Sequence, residues 1–489
     1  MTQFDVSRWS NRRINFAVLT AVGLIWFYTW ATPGITHIRK SEIVFSLPWD
    51  LQPQTSKDLT YLKEKIKLSA QFQYASRTIR TENYQGARPD MTIVEESLFP
   101  DLQLLDKSNL SHVAVTQLHP LTVRVPSTPT VDASILSFGI ATTVGRLNLS
   151  LNQLVHWLSN SGSPLHVISP PVQEGFSLLT DVLSRTKELN VDIHIHTSDA
   201  SFPIAYFSLL KQLYDTRTSN TKWLVLIDDD TFVPSLPSLV QHLNSKYDAE
   251  EETMVAAMSE DIYQIRDWGL IPYGGGGIFV SVPLAARLTA PEIWDVCVKG
   301  LGETQGDQII SHCLYSYVDV RPTFDPLLNQ MDFRPKDDSS KQSAADGIFE
   351  SGRKMLTVHH WRSWFDVDVA ASGLVSKACG EEGIWQRWMF PKDNILLSNG
   401  YSITEYATEV DKVNFGAVEL TWKGEAHQFW ASIGPLRPQL KEKEKKSLRM
   451  VHSEVIEGLG VRQLYHEKGA EHEGGEWDMD RLLELMWLF

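Results

Sequence analysis

Trp223-Leu-Val-Leu-Ile-Asp-Asp-Asp-Thr-Phe232 is an apolar run that ends in three consecutive carboxylates. Five apolar residues in succession suit a strand buried on both faces of a parallel sheet, and the carboxyl ends of such strands are where open α/β sheets take their ligands. Three acids crowded at that edge require a cation. Strand side chains alternate, so Asp228 and Asp230 point to one side and Asp229 to the other, provided the extended backbone lasts that far. An Asp-x-Asp pair of this kind is an oxygen clamp for Mn²⁺ or Mg²⁺, and the ion keeps positions open that a diphosphate can fill. The competing reading is a strand end whose acids open a turn and stay solvated.

Working outward, strands are predicted at 133–140, 165–168, 191–195 and 253–258, alternating with helices at 149–159, 175–189, 202–216 and 236–246. This rhythm predicts right-handed crossovers, a parallel sheet and a ligand at its carboxyl edge. A further helix is expected at 283–288 and a strand at 355–359. Beyond residue 378 the texture becomes mainly β, with strands expected at 396–406, 417–422, 427–433 and 448–456, and the charge run 441–446 reads as a solvated loop. The His/Glu-rich tract 466–476 reads as an exposed Gly-rich turn. Residues 35–130 are mixed and Pro-bearing, with one helix predicted around 57–81.

At 489 residues the chain exceeds one ordinary domain, and 43% hydrophobic residues suffice for a real core. The formal net charge of −15 argues against a nucleic-acid binder, whose footprint is basic. Residues 14–32 are apolar and uncharged, follow Arg8, Arg12 and Arg13, and close on Pro33-Gly34. That is the pattern of a single-pass type II anchor with a cytosolic tail at 1–13, a cleaved signal peptide being the alternative. The cysteines are Cys297, Cys313 and Cys379; the first two bracket a short loop and a helix start and are expected to pair, leaving Cys379. Two sequons, at Asn109 and Asn148, are compatible with a luminal location.

Three further segments carry candidate chemistry. Gly274, Gly275, Gly276 and Gly277 precede an apolar strand, and a run of glycines lets a ligand approach the backbone of a loop. Asp307 stands at a predicted helix start with Glu303 one turn earlier, where an acid can also be a plain N-cap. His359 and His360 close the domain; adjacent strand residues face opposite ways, so the two are not expected to serve one ion.

Together these pieces resemble the fringe-like inverting β-1,3-glycosyltransferases of glycosyltransferase family 31. The resemblance covers roughly residues 133–361: an opening strand with Phe138-Gly-Ile-Ala-Thr-Thr-Val-Gly-Arg146, the Trp-to-Asp-Asp-Asp-Thr box, the Gly run, the Cys297 to Cys313 segment with its Gly306-Asp307, and His359-His-Trp361. It implies a GT-A (Rossmann-like) α/β catalytic domain at 131–377. Ahead of that domain come the anchor and a stem at 33–130, and after it a small mainly β region at 378–489. It also implies a UDP-sugar donor, Mn²⁺, a glycan or glycoprotein acceptor, and a Golgi membrane location with the catalytic domain luminal; a homodimer is compatible with it. The last acid of the box, Asp230, becomes a direct metal ligand with His359 preferred over His360. Asp228 and Asp229 lie near the ribose, the metal water or the sugar, and Thr142, Thr143 and Arg146 contact the nucleotide. Family members often show two adjacent acids where this chain has Gly306-Asp307, so Asp307 is the expected base with Glu303 in reserve. That departure leaves open a catalytically silent lectin or chaperone on the same scaffold. A phosphohydrolase would gather more His and Asp ligands than this chain offers.

Overall fold

The computed structural model describes residues 54–489 apart from 117, 172–175, 301–303, 338, 340, 408–411, 424–432 and 470–478. The anchor segment 14–32 and Glu303 therefore lie outside the described residues, as does most of the tract 466–476. Among the described residues no helix is long and apolar enough to cross a membrane.

An eight-stranded sheet forms the first layer. Its spatial order is Thr357–Val358, Thr323–Asn329, Met254–Met258, Tyr273–Ser281, Trp223–Ile227, Leu136–Ala141, Leu165–Ser169 and Ile193–Thr197. Helices Val144–Leu158, Phe176–Glu188, Phe202–Thr216 and Leu236–Lys246 supply the crossovers, close to the predicted spans. Trp223, Val225 and Ile227 enter one apolar cluster while Leu224 and Leu226 enter another on the opposite face, and all five are fully buried. Burial of this kind contributes about 1.5–3 kcal/mol per large aliphatic side chain, so the strand sits at the centre because neither face tolerates water.

The expectation of a purely parallel sheet needs correction. Tyr273–Ser281 runs antiparallel to both its neighbours, Trp223–Ile227 and Met254–Met258. The segment between Met254–Met258 and this strand holds only the seven-residue helix Ile262–Trp268, too little for a return across the sheet. The Gly run is also no loop: all four glycines are buried within this strand. They fall in a register jump, with Ala256 paired to Ile278 and Ala257 to Tyr273, so they bulge out of the ladder.

A ten-stranded sheet forms the second layer, and it corrects the reading of the N-terminal region. The stretch expected as a helix around 57–81 contains the short helix Leu62–Lys65 and then the fourteen-residue strand Gln71–Tyr84. That strand pairs in parallel with Asp480–Leu488 and Leu121–Pro126. Residues expected as stem thus build one sheet with the C-terminal strands, which include Arg387–Phe390, Ile395–Ser398, Ser402–Tyr406, Lys445–Ile456 and Gly460–Glu467. Phe72 and Tyr74 alternate on a buried face, which is the period-2 pattern of a strand. The charge run is not wholly solvated either: Lys445 Nζ lies 2.6 Å from Glu350 and 3.0 Å from Glu419, its side chain buried between them. His466 and Glu467 end the strand Gly460–Glu467 and do not form a turn.

Cys297 and Cys313 are disulfide-bonded, joining helices Pro291–Gly300 and Gly306–Cys313, and Cys379 is free and buried.

Candidate active site

The strand Trp223–Ile227 stops at Asp228, and a turn closed by the Thr231 N–H to the Asp228 carbonyl (3.1 Å) carries Asp229 and Asp230. The extended backbone assumed for the three acids therefore does not persist. Two contacts fix the turn: Asp228 N–H donates to Thr231 Oγ1 (3.0 Å), and Thr231 Oγ1 donates to the Gly275 carbonyl (2.7 Å). Beyond it, Phe232 and Val358 exchange both backbone hydrogen bonds at 2.8 Å. That bridge stitches the acid turn to the strand leading into His359.

His359 Nε2 consequently sits 3.4 Å from Asp228 Oδ2 and 3.0 Å from Asp230 Oδ1. Burial disfavours protonation of this imidazole, yet the Asp230 carboxylate, and then Asp228, raise it to about 10. Burial likewise works against the charge on Asp230, and His359, His360 and Arg362 reverse the effect and hold its carboxyl well below the usual range. A proton on His359 here stands where a shared cation would.

His360 departs from the expectation that adjacent histidines diverge. Strand geometry ends at Val358, and His360 has a left-handed backbone (φ 55°), so the two rings come together with centroids 3.8 Å apart. Asp230, His359 and His360 each bring one ligand atom within 4.8 Å of the others. His360 is held at both nitrogens, Nε2 by Asp332 (3.0 Å) and Nδ1 by Ser363 (2.9 Å), and its ring stacks on Trp364. Nε2 of His359 faces both acids directly. This is an N/O donor set that suits Mn²⁺, with Asp332 orienting the neighbouring imidazole from behind.

Asp229 turns the other way. Its Oδ1 accepts from Arg146 Nη2 and Arg362 Nη2 (both 2.6 Å), its Oδ2 from Arg146 Nε (2.6 Å), and Thr142 Oγ1 donates to it as well. Both oxygens thus hold cationic side chains, and Asp229, expected near the ribose, the metal water or the sugar, also lines a cavity with Asp228 and Asp230. Thr143 caps helix Val144–Leu158 by accepting from Arg146 N–H (3.3 Å). Thr142, Thr143 and Arg146 line a cavity of about 440 Å³ together with all three acids.

A second cavity, about 290 Å³, adjoins it and shares Asp228 and Phe202. Gly274, Asp307, His359 and His360 line this one. Asp307 lies in the first turn of helix Gly306–Cys313 but is not its cap; Gln305 is, through a reciprocal capping box with Gln308. Burial, and secondly the Asp228 charge, push the Asp307 carboxyl up to about 6.

The glycines act by absence of a side chain. A Cβ on Gly274 would lie 2.1 Å from the Tyr206 hydroxyl, one on Gly275 2.1 Å from the His359 ring, and one on Gly276 2.3 Å from the Ala257 Cβ. Gly277 has φ +102°, open to glycine alone. Gly274 lines this smaller cavity, Gly275 leaves room for the His359 ring above it, and Gly276 lets the strand pass close to Ala257. Gly275→Ala is expected to unseat His359, costing about 1–3 kcal/mol of stability and about tenfold in Mn²⁺ affinity; denaturant melts and calorimetric titration check both.

Arg362, Asp332, Tyr206 and Trp364 belong to the site without having been singled out in the sequence. Arg362 had a signal, as a cation directly after His359-His-Trp361; the other three carry none.

No family model matches the chain. It is similar to a human β-1,3-glucosyltransferase, 29% identical over 155 residues, which are 31% of this chain and 29% of that protein. The alignment thus spans less than a third of the relative. Among solved structures, it is similar to the galactosyltransferase LgtC in complex with donor and acceptor sugar analogs (14% identity, 37% of this chain and 70% of that one, TM-score 0.27). It is also similar to the mannosyltransferase PcManGT from Pyrobaculum calidifontis in complex with GDP-Man and Mn²⁺ (12%, 47% and 64%, TM-score 0.31). A third is mouse xyloside xylosyltransferase 1 in its apo form (11%, 46% and 96%, TM-score 0.30).

Proposed function

We propose that this chain is a metal-dependent inverting glycosyltransferase, moving a hexose from a UDP-sugar to a glycan hydroxyl and forming a β-1,3 linkage. The observation that carries the reading is the convergence of Asp228, Asp230 and His359 where two cavities meet, Asp228 lining both. The partial similarity to a β-1,3-glucosyltransferase supports the class of reaction and adds glucose to galactose as the first donors to try. With the expected anchor at 14–32, the enzyme would act in the Golgi lumen.

In this proposal Asp230 and His359 hold Mn²⁺, with Asp228 beside them. When bound, the ion acts as a Lewis acid that offsets charge on the departing diphosphate. The Arg146 guanidinium, fixed by Asp229, offers the larger cavity a cation for the nucleotide phosphates. The acceptor hydroxyl attacks the anomeric carbon on the face opposite UDP. As that C–O bond forms, the bond to the β-phosphate oxygen breaks with its electron pair, and Asp307 takes the hydroxyl proton.

The test is UDP release from UDP-glucose, UDP-galactose and UDP-N-acetylglucosamine with and without Mn²⁺, beside thermal stabilisation by each. Stabilisation with turnover supports the transferase; stabilisation with no turnover on any glycan supports a silent binding member; neither effect on folded protein rejects the nucleotide-sugar reading. Because Mn²⁺ must displace the His359 proton, its affinity is expected to rise with pH, by up to about tenfold per unit below the raised imidazole value near 10. Calorimetric titrations at pH 6, 7 and 8 check the slope.

A further inference from the structure

The smaller cavity has a composition that the transferase reading leaves unused. Four glutamines line it, Gln264, Gln305, Gln308 and Gln330, and among the described residues no Lys or Arg does. Gln308 and Gln330 accept N–H bonds from Gln305 and Gly276 through their amide oxygens, leaving NH₂ groups as donors. The Tyr206 hydroxyl, in the same lining, is buried with no partner among the described residues. Neutral donors and acceptors of this kind match sugar hydroxyls. An anionic group would instead meet Asp228, Asp307 and Asp332, while the His359 imidazole of the same lining is already paired with Asp228 and Asp230.

At the mouth stands Trp268, the last residue of helix Ile262–Trp268, with 46% of its surface exposed although it lines the cavity. Phe202, 53% exposed, stands where the two cavities join. A large aromatic face left in water beside a hydrogen-bonding pocket is unfavourable until something apolar covers it. The C–H face of a pyranose is such a cover, and its hydroxyl rim then meets the amides.

The geometry points to the smaller cavity as the acceptor subsite for an uncharged sugar, seated on Trp268 and hydrogen-bonded by the glutamines and Tyr206, with uronic acids and phosphorylated sugars excluded. This rests on the transferase reading, and the two fail differently. The experiment uses the full chain with Mn²⁺ and whichever UDP-hexose gives background hydrolysis. UDP release is then measured with p-nitrophenyl β-glucoside, β-galactoside, α-fucoside and β-N-acetylglucosaminide, against p-nitrophenyl β-glucuronide and glucose 6-phosphate. Absence of any donor hydrolysis with no donor binding refutes the transferase reading itself.

Given donor hydrolysis, at least one neutral glycoside is expected to raise UDP release while the anionic pair does not. Trp268→Ala should raise KM for that glycoside by about tenfold or more, with KM for the donor within about twofold, and Trp268→Phe should recover most of the loss. Acceleration only by the anionic sugars, no response to any neutral glycoside, or an unchanged acceptor KM in Trp268→Ala would overturn the inference. A melting temperature equal to wild type, expected for a half-exposed side chain, confirms that the alanine variant is folded; a lower one transfers the decision to Trp268→Phe against Trp268→Leu, which share bulk and differ in the aromatic face.

Discussion

Asp230→Asn is expected to lower kcat/KM for sugar transfer by about 10³-fold, the several kcal/mol that a Lewis acid supplies at a leaving diphosphate. The substitution keeps the volume of a side chain that is 5% exposed and removes its charge. It leaves His359 with Asp228 alone at 3.4 Å, and the imidazole can then give up its proton, which limits the cost to stability. The same variant should no longer bind Mn²⁺ at concentrations that saturate wild type, while circular dichroism stays unchanged. Steady-state kinetics with the best UDP-hexose, run beside a Mn²⁺ titration, separate lost binding from lost folding. Full activity in this variant would remove Asp230 from the reaction.

Asp307→Asn is the second large effect, a fall in kcat of about 10²–10⁴-fold with Mn²⁺ and UDP binding retained. The carboxylate form is the active one. With its pKa raised to about 6, wild-type activity is expected to fall as pH drops through that region, and Mn²⁺ beside Asp228 moves the limb lower by offsetting one cause of the rise. Loss of this acid limb in a slow residual reaction of Asp307→Asn identifies the group. A limb that persists unchanged assigns the titration to another residue. Glu303, the reserve candidate, lies outside the described residues, and Glu303→Gln is the control that should leave the limb in place.

Much of the central sheet was legible because its signals are local. The run 223–227 is apolar at every position and short, which suits a strand buried on both faces, and the crossover helices carry their own 3.6-residue periodicity. The gathering of Asp228, Asp230, His359 and Asp307 at one edge followed from motif order. What escaped depends on partners far along the chain. Gln71–Tyr84 pairs Phe72 with Asp480, some four hundred residues away, and nothing local announces a parallel partner at that distance. The antiparallel course of Tyr273–Ser281 follows from a short connection, and its glycines looked like a loop because their reason is the side chains above them, Tyr206 and His359. The left-handed backbone of His360 is imposed by the turn after Val358, a conformation no non-glycine residue advertises. Lys445 was averaged into a charge run, although one cation of that run faces inward to Glu350 and Glu419.

The most direct measurement is calorimetric titration of Mn²⁺ into the full chain with UDP present, repeated on Asp230→Asn and Asp307→Asn. One ion per chain in wild type and in Asp307→Asn, with none in Asp230→Asn, is the predicted result. Binding of equal strength in all three proteins, or in none of them, would contradict a cation seated between Asp230 and His359.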